Sequence, residues 1–273
     1  MFARRSAFFL LAGLPLKIEV RDLSHFFSLS RRNSYAVLDR LSFSVESGCF
    51  TVILGESGCG KSTLLNLMAG LLVPTTGQIL GNDQPVTGPS PDRSILFQYP
   101  SLLPWLTVAD NIAFGCRLRG EVDNLRERVE DLIRLIGLAG FEDLHPAELS
   151  VGMAQRVCLA RALIGQPKAL LLDEPFGALD ICNRTRLQDE LIQIWRQRPF
   201  TAVLVTHDID EALVVAEKII VLGNHPATTL AVYEVDLPYP RDIASHAFFE
   251  VRSQIIQLLR AATTNVNLVN PLP

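Results

Sequence analysis

The sequence predicts an α/β domain with a helical insertion, and three stretches predict it. An apolar run, Phe50–Leu54, turns through a glycine-rich loop into the helix-forming Leu64–Ala69. A second apolar strand, Ala169–Leu172, ends in the acids Asp173 and Glu174, and a third, Thr201–Thr206, ends at His207 and Asp208. Short apolar runs bounded by turn signals read as buried strands.

The loop itself reads GESGCGKST, Gly55 to Thr63. A strand entering such a loop and a helix leaving it is the context a phosphate-binding loop requires. Glycines at 55, 58 and 60 let the backbone wrap an anion with no side chain in the way, and the amides at the helix start point at the phosphates. Lys61 reaches the outer phosphates and the Ser62 hydroxyl holds magnesium. Ser57, Cys59 and Thr63 complete the set of candidate contacts. The plainer reading, a turn that only joins strand to helix, leaves the coincidence of all four fixed positions unexplained. The chain therefore binds a nucleotide.

At 273 residues the chain is long enough to bury a substantial core. A net charge of −4 and a pI near 5.8 give no electrostatic reason to expect nucleic acid, whose binding needs clustered positive charge. Hydrophobic content of 48% and a mean hydropathy of +0.25 are rich enough to suggest apolar surface that meets another protein. The five cysteines, at 49, 59, 116, 158 and 182, form no CxxC pair and read as reduced thiols. Cys59 lies inside the loop, either as a small residue that fits or as a thiol open to alkylation. The opening MFARRSAFFLLAGLPL resembles a short secretory signal but has no small-residue cleavage site and is interrupted by Pro15. It reads as an N-terminal apolar extension over residues 1–16, too short to span a bilayer.

Lys17–Arg21 and Leu41–Glu46 are expected as short strands, with a turn at 31–34 between them. Phe26 and Phe27 are placed either in the core or, for Phe26, against an adenine ring. Pro74–Gly77 and Gly88–Arg93 are expected as turns, Ile79–Leu80 and Ser94–Phe97 as strands, the latter ending at Gln98. The following YPSLLPWLTVADNIAFG is expected as an apolar loop that docks a partner. Residues Asn124–Ile136 carry apolar positions at helical spacing, and a further helix starts at Ser150, whose hydroxyl suits a cap, and stops at Gln166–Pro167. Two acids buried at a strand end without a counter-ion are costly; a magnesium ion on Asp173 removes the difficulty and leaves Glu174 to polarise a water. The alternative has both acids capping the next helix. His207 is either incidental or a partner of the terminal phosphate.

Together these residues resemble the ATP-binding subunits of ABC transporters over about residues 17–260. The matching motifs are the Walker A loop Gly55–Ser62, the Q-loop Gln98, the Walker B strand Leu170–Asp173 with Glu174, the D-loop Gly177–Asp180, and the switch His207. The resemblance implies a RecA-like P-loop ATPase core with an antiparallel β subdomain and a helical subdomain carrying the signature motif. The expected boundaries are an ATPase domain over 17–240, its helical subdomain at about 99–165, and a C-terminal helix and tail over 241–273, with Ile243–Leu259 amphipathic. It implies ATP and magnesium as cofactors, the metal held by Ser62, Gln98 and Asp173. Glu174 and His207 take the catalytic roles, and Ser150, Gly152 and Asp180 contact a nucleotide across a homodimer or heterodimer. GPSPDR, LLPWLTVADNIAFG, DEPFGALD and DLPYPRD are similar to the branch serving nitrate, sulfonate and taurine importers. That branch implies permease subunits bound through Gln98–Trp105, a solute-binding protein, and a peripheral position on the cytoplasmic face of a bacterial inner membrane.

Two places depart from the family. The signature reads LSVGMAQR, with Val151 for a glycine and Ala154 for a basic residue; a β-branched residue disfavours positive φ and adds bulk beside an anion site. Tolerated drift, a partner with an intact signature, and a slow or regulatory ATPase all account for it. GNHPATT, residues 223–229, replaces the usual PGR-like turn and has no assigned role. The rival class is a non-transport ABC ATPase, although coiled-coil insertions and zinc-type cysteines are missing.

Overall fold

The computed structural model describes residues 14–28, 34–223 and 225–269. The apolar run of the N-terminal extension through residue 13, and positions 31–33 of the expected turn, lie outside them. In chain order the elements are β1 (Ile18–Ser28), β2 (Ser34–Val45), β3 (Phe50–Leu54), α1 (Lys61–Ala69), β4 (Thr76–Gly81), β5 (Gln84–Pro85) and β6 (Arg93–Leu96). They continue with α2 (Val108–Arg119), α3 (Leu125–Leu135), α4 (Val151–Leu163), β7 (Ala169–Asp173), α5 (Ile181–Gln197) and β8 (Thr201–Thr206). The last are α6 (Ile209–Val215), β9 (Lys218–Leu222), β10 (Thr229–Glu234) and α7 (His246–Val269). Two compact units emerge, one comprising Ser90–Phe200 and the other Leu16–Pro89 with the described residues from Thr201 onward.

In the second of these units β3 lies between β8 and β9, parallel to both, and β10 pairs antiparallel on β9. A strand flanked on both sides and covered on both faces reads as a near-continuous apolar run, and all five residues of β3, Thr51 among them, are buried. A separate antiparallel sheet has the order β2-β1-β4-β5. Its strands are longer than the sequence suggested because bulges at Asp22 and Arg40, both at positive φ, carry the pairing past local breaks in the alternation. The expected turn at Pro74–Gly77 is corrected: Thr76 already pairs with Ser24, and the chain reverses at Asn82–Asp83, both left-handed, between β4 and β5. Helix α7 begins at His246 and runs to Val269, past the expected end at Leu259, burying Phe248 and Ile255 on one face.

The unit Ser90–Phe200 pairs β6 parallel with β7 and packs α2, α3 and α4 together. The amphipathic α3 lies one residue inside its expected bounds at each end, with Val129, Leu132 and Ile133 buried. Helix α2 was missed: the stretch read as a loop through Gly115 is helical from Val108. The signal was present in Thr107, whose side chain accepts from Asp110 N, and in the spacing of Val108, Ile112, Ala113 and Cys116, all buried. Prolines and the apolar run LLPWL masked it.

Asn111, fully buried on α2, fixes the loop before the helix. Its Oδ1 accepts from Leu103 N at 2.8 Å, and its Nδ2 faces the carbonyls of Leu103, Leu106 and Thr107 at 3.0–3.1 Å. Leu102, Leu103 and Leu106 are consequently only half exposed, while Pro104 and Trp105 stand out. Asn111→Leu strands several buried backbone groups and is expected to cost about 2–3 kcal/mol. The check is the urea midpoint at unchanged slope; an unshifted midpoint contradicts the clamp.

Candidate functional site

The loop between β3 and α1 is shaped by two left-handed glycines, Gly58 at φ +79 and Gly60 at φ +107. A Cβ on Gly60 would stand 2.7 Å from Val37 Cγ1 and 2.9 Å from Leu38 Cδ2, so both backbone angle and space require glycine there. As N-cap of α1, Gly60 supplies no side-chain oxygen, and the first turn carries no acid. The helix start thus keeps its positive end for an anion. Lys61 is 4% exposed, and its Nζ donates to the carbonyls of Gly55 and Glu56, both at 2.9 Å. The ammonium spans the ends of the loop and holds the curl closed. Ser62 is exposed and Thr63 half buried; Glu56, Ser57 and Gly58 form the exposed crest.

Cys59 is buried, and burial pushes its thiol up from the ordinary cysteine range. A Cβ on Gly55 would meet its Sγ at 2.8 Å. Cys59 is a packing residue beneath the loop, and the alkylation reading has no support.

His207 belongs to the same unit as this loop. Leu54 is paired with Thr206, and Gly55 N donates to Thr206 O at 3.3 Å, so the residue after Thr206 lies beside the start of the cradle. The turn around His207 is locked. Thr206 Oγ1 donates to Glu211 Oε2 at 2.7 Å and accepts from Asp208 N at 3.0 Å, while the Asp208 carboxylate accepts from Asp210 N and Glu211 N to cap α6. Glu211 and Thr206 are buried, and neither they nor the cap at Asp208 were signalled by the sequence pattern. Phe26 is 39% exposed on β1, opposite Ala36, which removes the core alternative for it; its backbone N–H is held by Thr75 Oγ1.

In the unit Ser90–Phe200 the register Leu96↔Leu172 sets Gln98 and the pair Asp173–Glu174 at the same end of β6 and β7. The carboxyl ends of parallel strands are where α/β sheets bind ligands. Gln98 falls in a bend two residues beyond β6 and is half buried, as are both acids. Glu174 has φ +42, a left-handed backbone that costs a non-glycine residue energy and is typical of functional turns. Its carbonyl accepts from Gly177 N at 3.2 Å. Neither acid caps α5; Asp180 does, accepting from Asn183 N at 3.0 Å, and that bond holds its carboxyl below the usual range.

Ser150 caps α4, its hydroxyl accepting from Met153 N at 3.2 Å. Val151 occupies the first helical position without positive φ and is 53% exposed, so the expected backbone conflict is absent. Gly152 lies beside α5: a Cβ there would touch Asn183 at 3.7 Å. The start of the signature helix and the D-loop are therefore neighbours. Two further signature residues are structural. Gln155 Nε2 donates to Pro175 O at 3.1 Å, tying α4 to the turn after Glu174, and the buried Arg156 donates to Ile136 O and pairs with Glu190 at 3.0 Å.

The three residues expected to hold magnesium offer a hydroxyl, an amide and a carboxylate, all oxygen donors suited to a hard cation. Among the described residues no cluster of three His, Cys, Asp or Glu forms a protein-only cage.

A family model described as ABC transporter matches residues 38–177. The chain is 45% identical over 254 residues to the bicarbonate transport ATP-binding protein CmpC of Synechococcus elongatus, covering 90% of this chain and 38% of that protein. It thus spans well under half the length of that relative. It is 41% identical to the aliphatic sulfonates import ATP-binding protein SsuB of Bacillus cereus, covering 89% of this chain and 95% of the relative. An uncharacterized ABC transporter ATP-binding protein of Methanocaldococcus jannaschii is 40% identical, with 90% and 92% covered. Among solved structures, the ATP-binding cassette MJ0796 in a dimeric post-hydrolysis state bound to ADP and Pi superposes with a TM-score of 0.71 at 25% identity, covering 80% of this chain and 98% of that one.

Proposed function

The chain belongs to the ABC transporter family, and from that membership we propose that it is the ATP-hydrolysing subunit that drives import of a small anionic solute through partner membrane subunits. The observation that carries the reading is the phosphate loop: left-handed glycines, an uncapped helix start and a buried Lys61 folded across it. The solute class rests on relatives named for bicarbonate and aliphatic sulfonates. Nitrate is likewise a small monoanion, and taurine is a small sulfonate that also carries an ammonium group.

In this reading amides from Gly58 to Thr63 and the Lys61 ammonium bind the triphosphate. Ser62, Gln98 and Asp173 would hold magnesium, which would supply charge neutralisation on the phosphates. Glu174 accepts a proton from the attacking water, and His207 hydrogen-bonds the terminal phosphate. Phe26 stacks on the base. Catalysis is mainly positioning and charge neutralisation, so few side chains suffice. A second ATPase subunit presents Ser150, Gly152 and Asp180 to the nucleotide.

The permease contact falls on the unit Ser90–Phe200. There Phe97, Tyr99 and Trp105 are exposed, the last two by 71% and 69%, and Phe97 and Tyr99 line a cavity of about 150 Å³ together with Ile95, Ser101 and Arg161. Arg161 braces Ser101 through its carbonyl and hydroxyl. No helix among the described residues is long and apolar enough to cross a membrane. The proposed place is the cytoplasmic membrane face against those partners, with a solute-binding protein on the other side.

Co-purification tests the transport role: a hydrophobic multi-helix partner held by the wild type and lost in a Tyr99→Ala, Trp105→Ala double variant supports it, and retention in the variant contradicts this docking face. For the signature, Val151→Gly is expected to preserve ATPase activity or raise it up to about threefold, because Val151 already has helical geometry. A steady-state phosphate-release assay showing a sharp loss would mean that the valine belongs to an altered site.

A further inference from the structure

The stretch GNHPATT, which the family pattern leaves without a role, runs beside the phosphate loop. Ala227 is buried and tied to β2 twice: Ala227 N donates to Val37 O at 2.8 Å, and Asp39 N donates to Ala227 O at 3.0 Å. The same part of β2 walls the loop at Gly60 through Val37 and Leu38. One strand segment thus braces both the cradle and the chain carrying His225. His225 is exposed, and its ring lies 6.1 Å from that of Tyr35, tilted by 50°. A Cβ on Gly58, at the crest of the cradle, would find His225 Nε2 at 4.0 Å and, its chain neighbours aside, no other described atom within that range. An imidazole therefore lies over the glycine at the crest of the cradle.

We propose that His225 is an additional nucleotide contact, its Nε2 donating a hydrogen bond to a phosphate oxygen of the bound nucleoside triphosphate, with Tyr35 as a positioning residue that limits the swing of the imidazole. An imidazole can donate to an anion from either ring nitrogen, and a hydrogen bond to a charged oxygen is stronger than one between neutral groups. This inference rests on the ATP-binding reading of the loop. It also gives the departure from the PGR-like turn a purpose.

Equilibrium titration with a fluorescent methylanthraniloyl ATP, alongside the corresponding adenosine without phosphates, tests it. His225→Ala is expected to weaken the triphosphate about five- to tenfold, His225→Gln to recover part of that loss by keeping a donor, Tyr35→Leu to weaken it by about two- to threefold, and Tyr35→Phe to bind as the wild type. The adenosine probe should respond to none of these. Lys61→Ala is the separate control. If it loses the triphosphate while His225→Ala binds like the wild type, the proposal is overturned and the ATP reading stands. If Lys61→Ala also binds like the wild type, the ATP reading itself fails. Equal weakening of the adenosine probe by His225→Ala would overturn the phosphate contact.

Discussion

Lys61→Ala is expected to abolish useful ATP binding, weakening it by at least about a hundredfold, with a corresponding loss of hydrolysis. Two effects add. The ammonium is the one side-chain cation within the cradle sequence, and hydrogen bonds from a charged group contribute about 1.5–3 kcal/mol each. It also bonds the carbonyls of Gly55 and Glu56, so its removal releases the ends of the loop and lets the amides turn away from the phosphates. Lys61 is buried at the start of α1 and the surrounding strand is apolar, so the fold should survive. Binding is read by titration with a fluorescent nucleotide and folding by circular dichroism. A folded variant with wild-type affinity would remove the loop from the site.

Glu174→Gln is expected to separate binding from turnover. The amide keeps the size of the side chain but cannot take a proton, and loss of a general base costs about 10²- to 10⁴-fold. ATP affinity should stay within about twofold, because none of the phosphate-binding groups is touched. The left-handed backbone at Glu174 is set by the turn to Gly177, which glutamine tolerates no worse than glutamate. Trapped ATP should also favour the two-subunit form, seen as a shift in size-exclusion chromatography that needs nucleotide. A variant releasing phosphate at the parent rate would strip Glu174 of the role.

The strands that bear the chemistry were legible because they are short, mostly apolar and lead directly into polar residues. Phe50–Leu54, Ala169–Asp173 and Thr201–Thr206 all fall where the pattern placed them. The cap at Ser150 was legible for the same local reason: one hydroxyl reaches an amide three residues on. What depends on distant partners was not. The sequence around Pro74–Gly77 has turn composition, yet pairing with β1 draws Thr76 and Gly77 into a strand. Helix α2 was hidden behind prolines and an apolar run whose loop is held by one buried amide, Asn111, and no periodicity marks such a clamp. The roles of Gln155 and Arg156 were equally invisible, since each reaches about twenty residues along the chain for its carbonyl. The suspicion about Val151 came from a backbone requirement that a helical first turn does not impose. His225 was passed over because only the pairing of Ala227 with β2 brings it to the loop.

The proposed function requires the cradle at Gly58–Thr63 and the carboxylate of Asp173 to serve one metal–ATP site, which is a proposal to be tested. Electron paramagnetic resonance of manganese titrated with ATP into the wild type, Ser62→Ala and Asp173→Asn measures this directly. The account predicts one tightly held manganese per nucleotide in the wild type, and loss of that ion in both variants while ATP itself still binds through Lys61. A manganese signal unchanged by Asp173→Asn would contradict it.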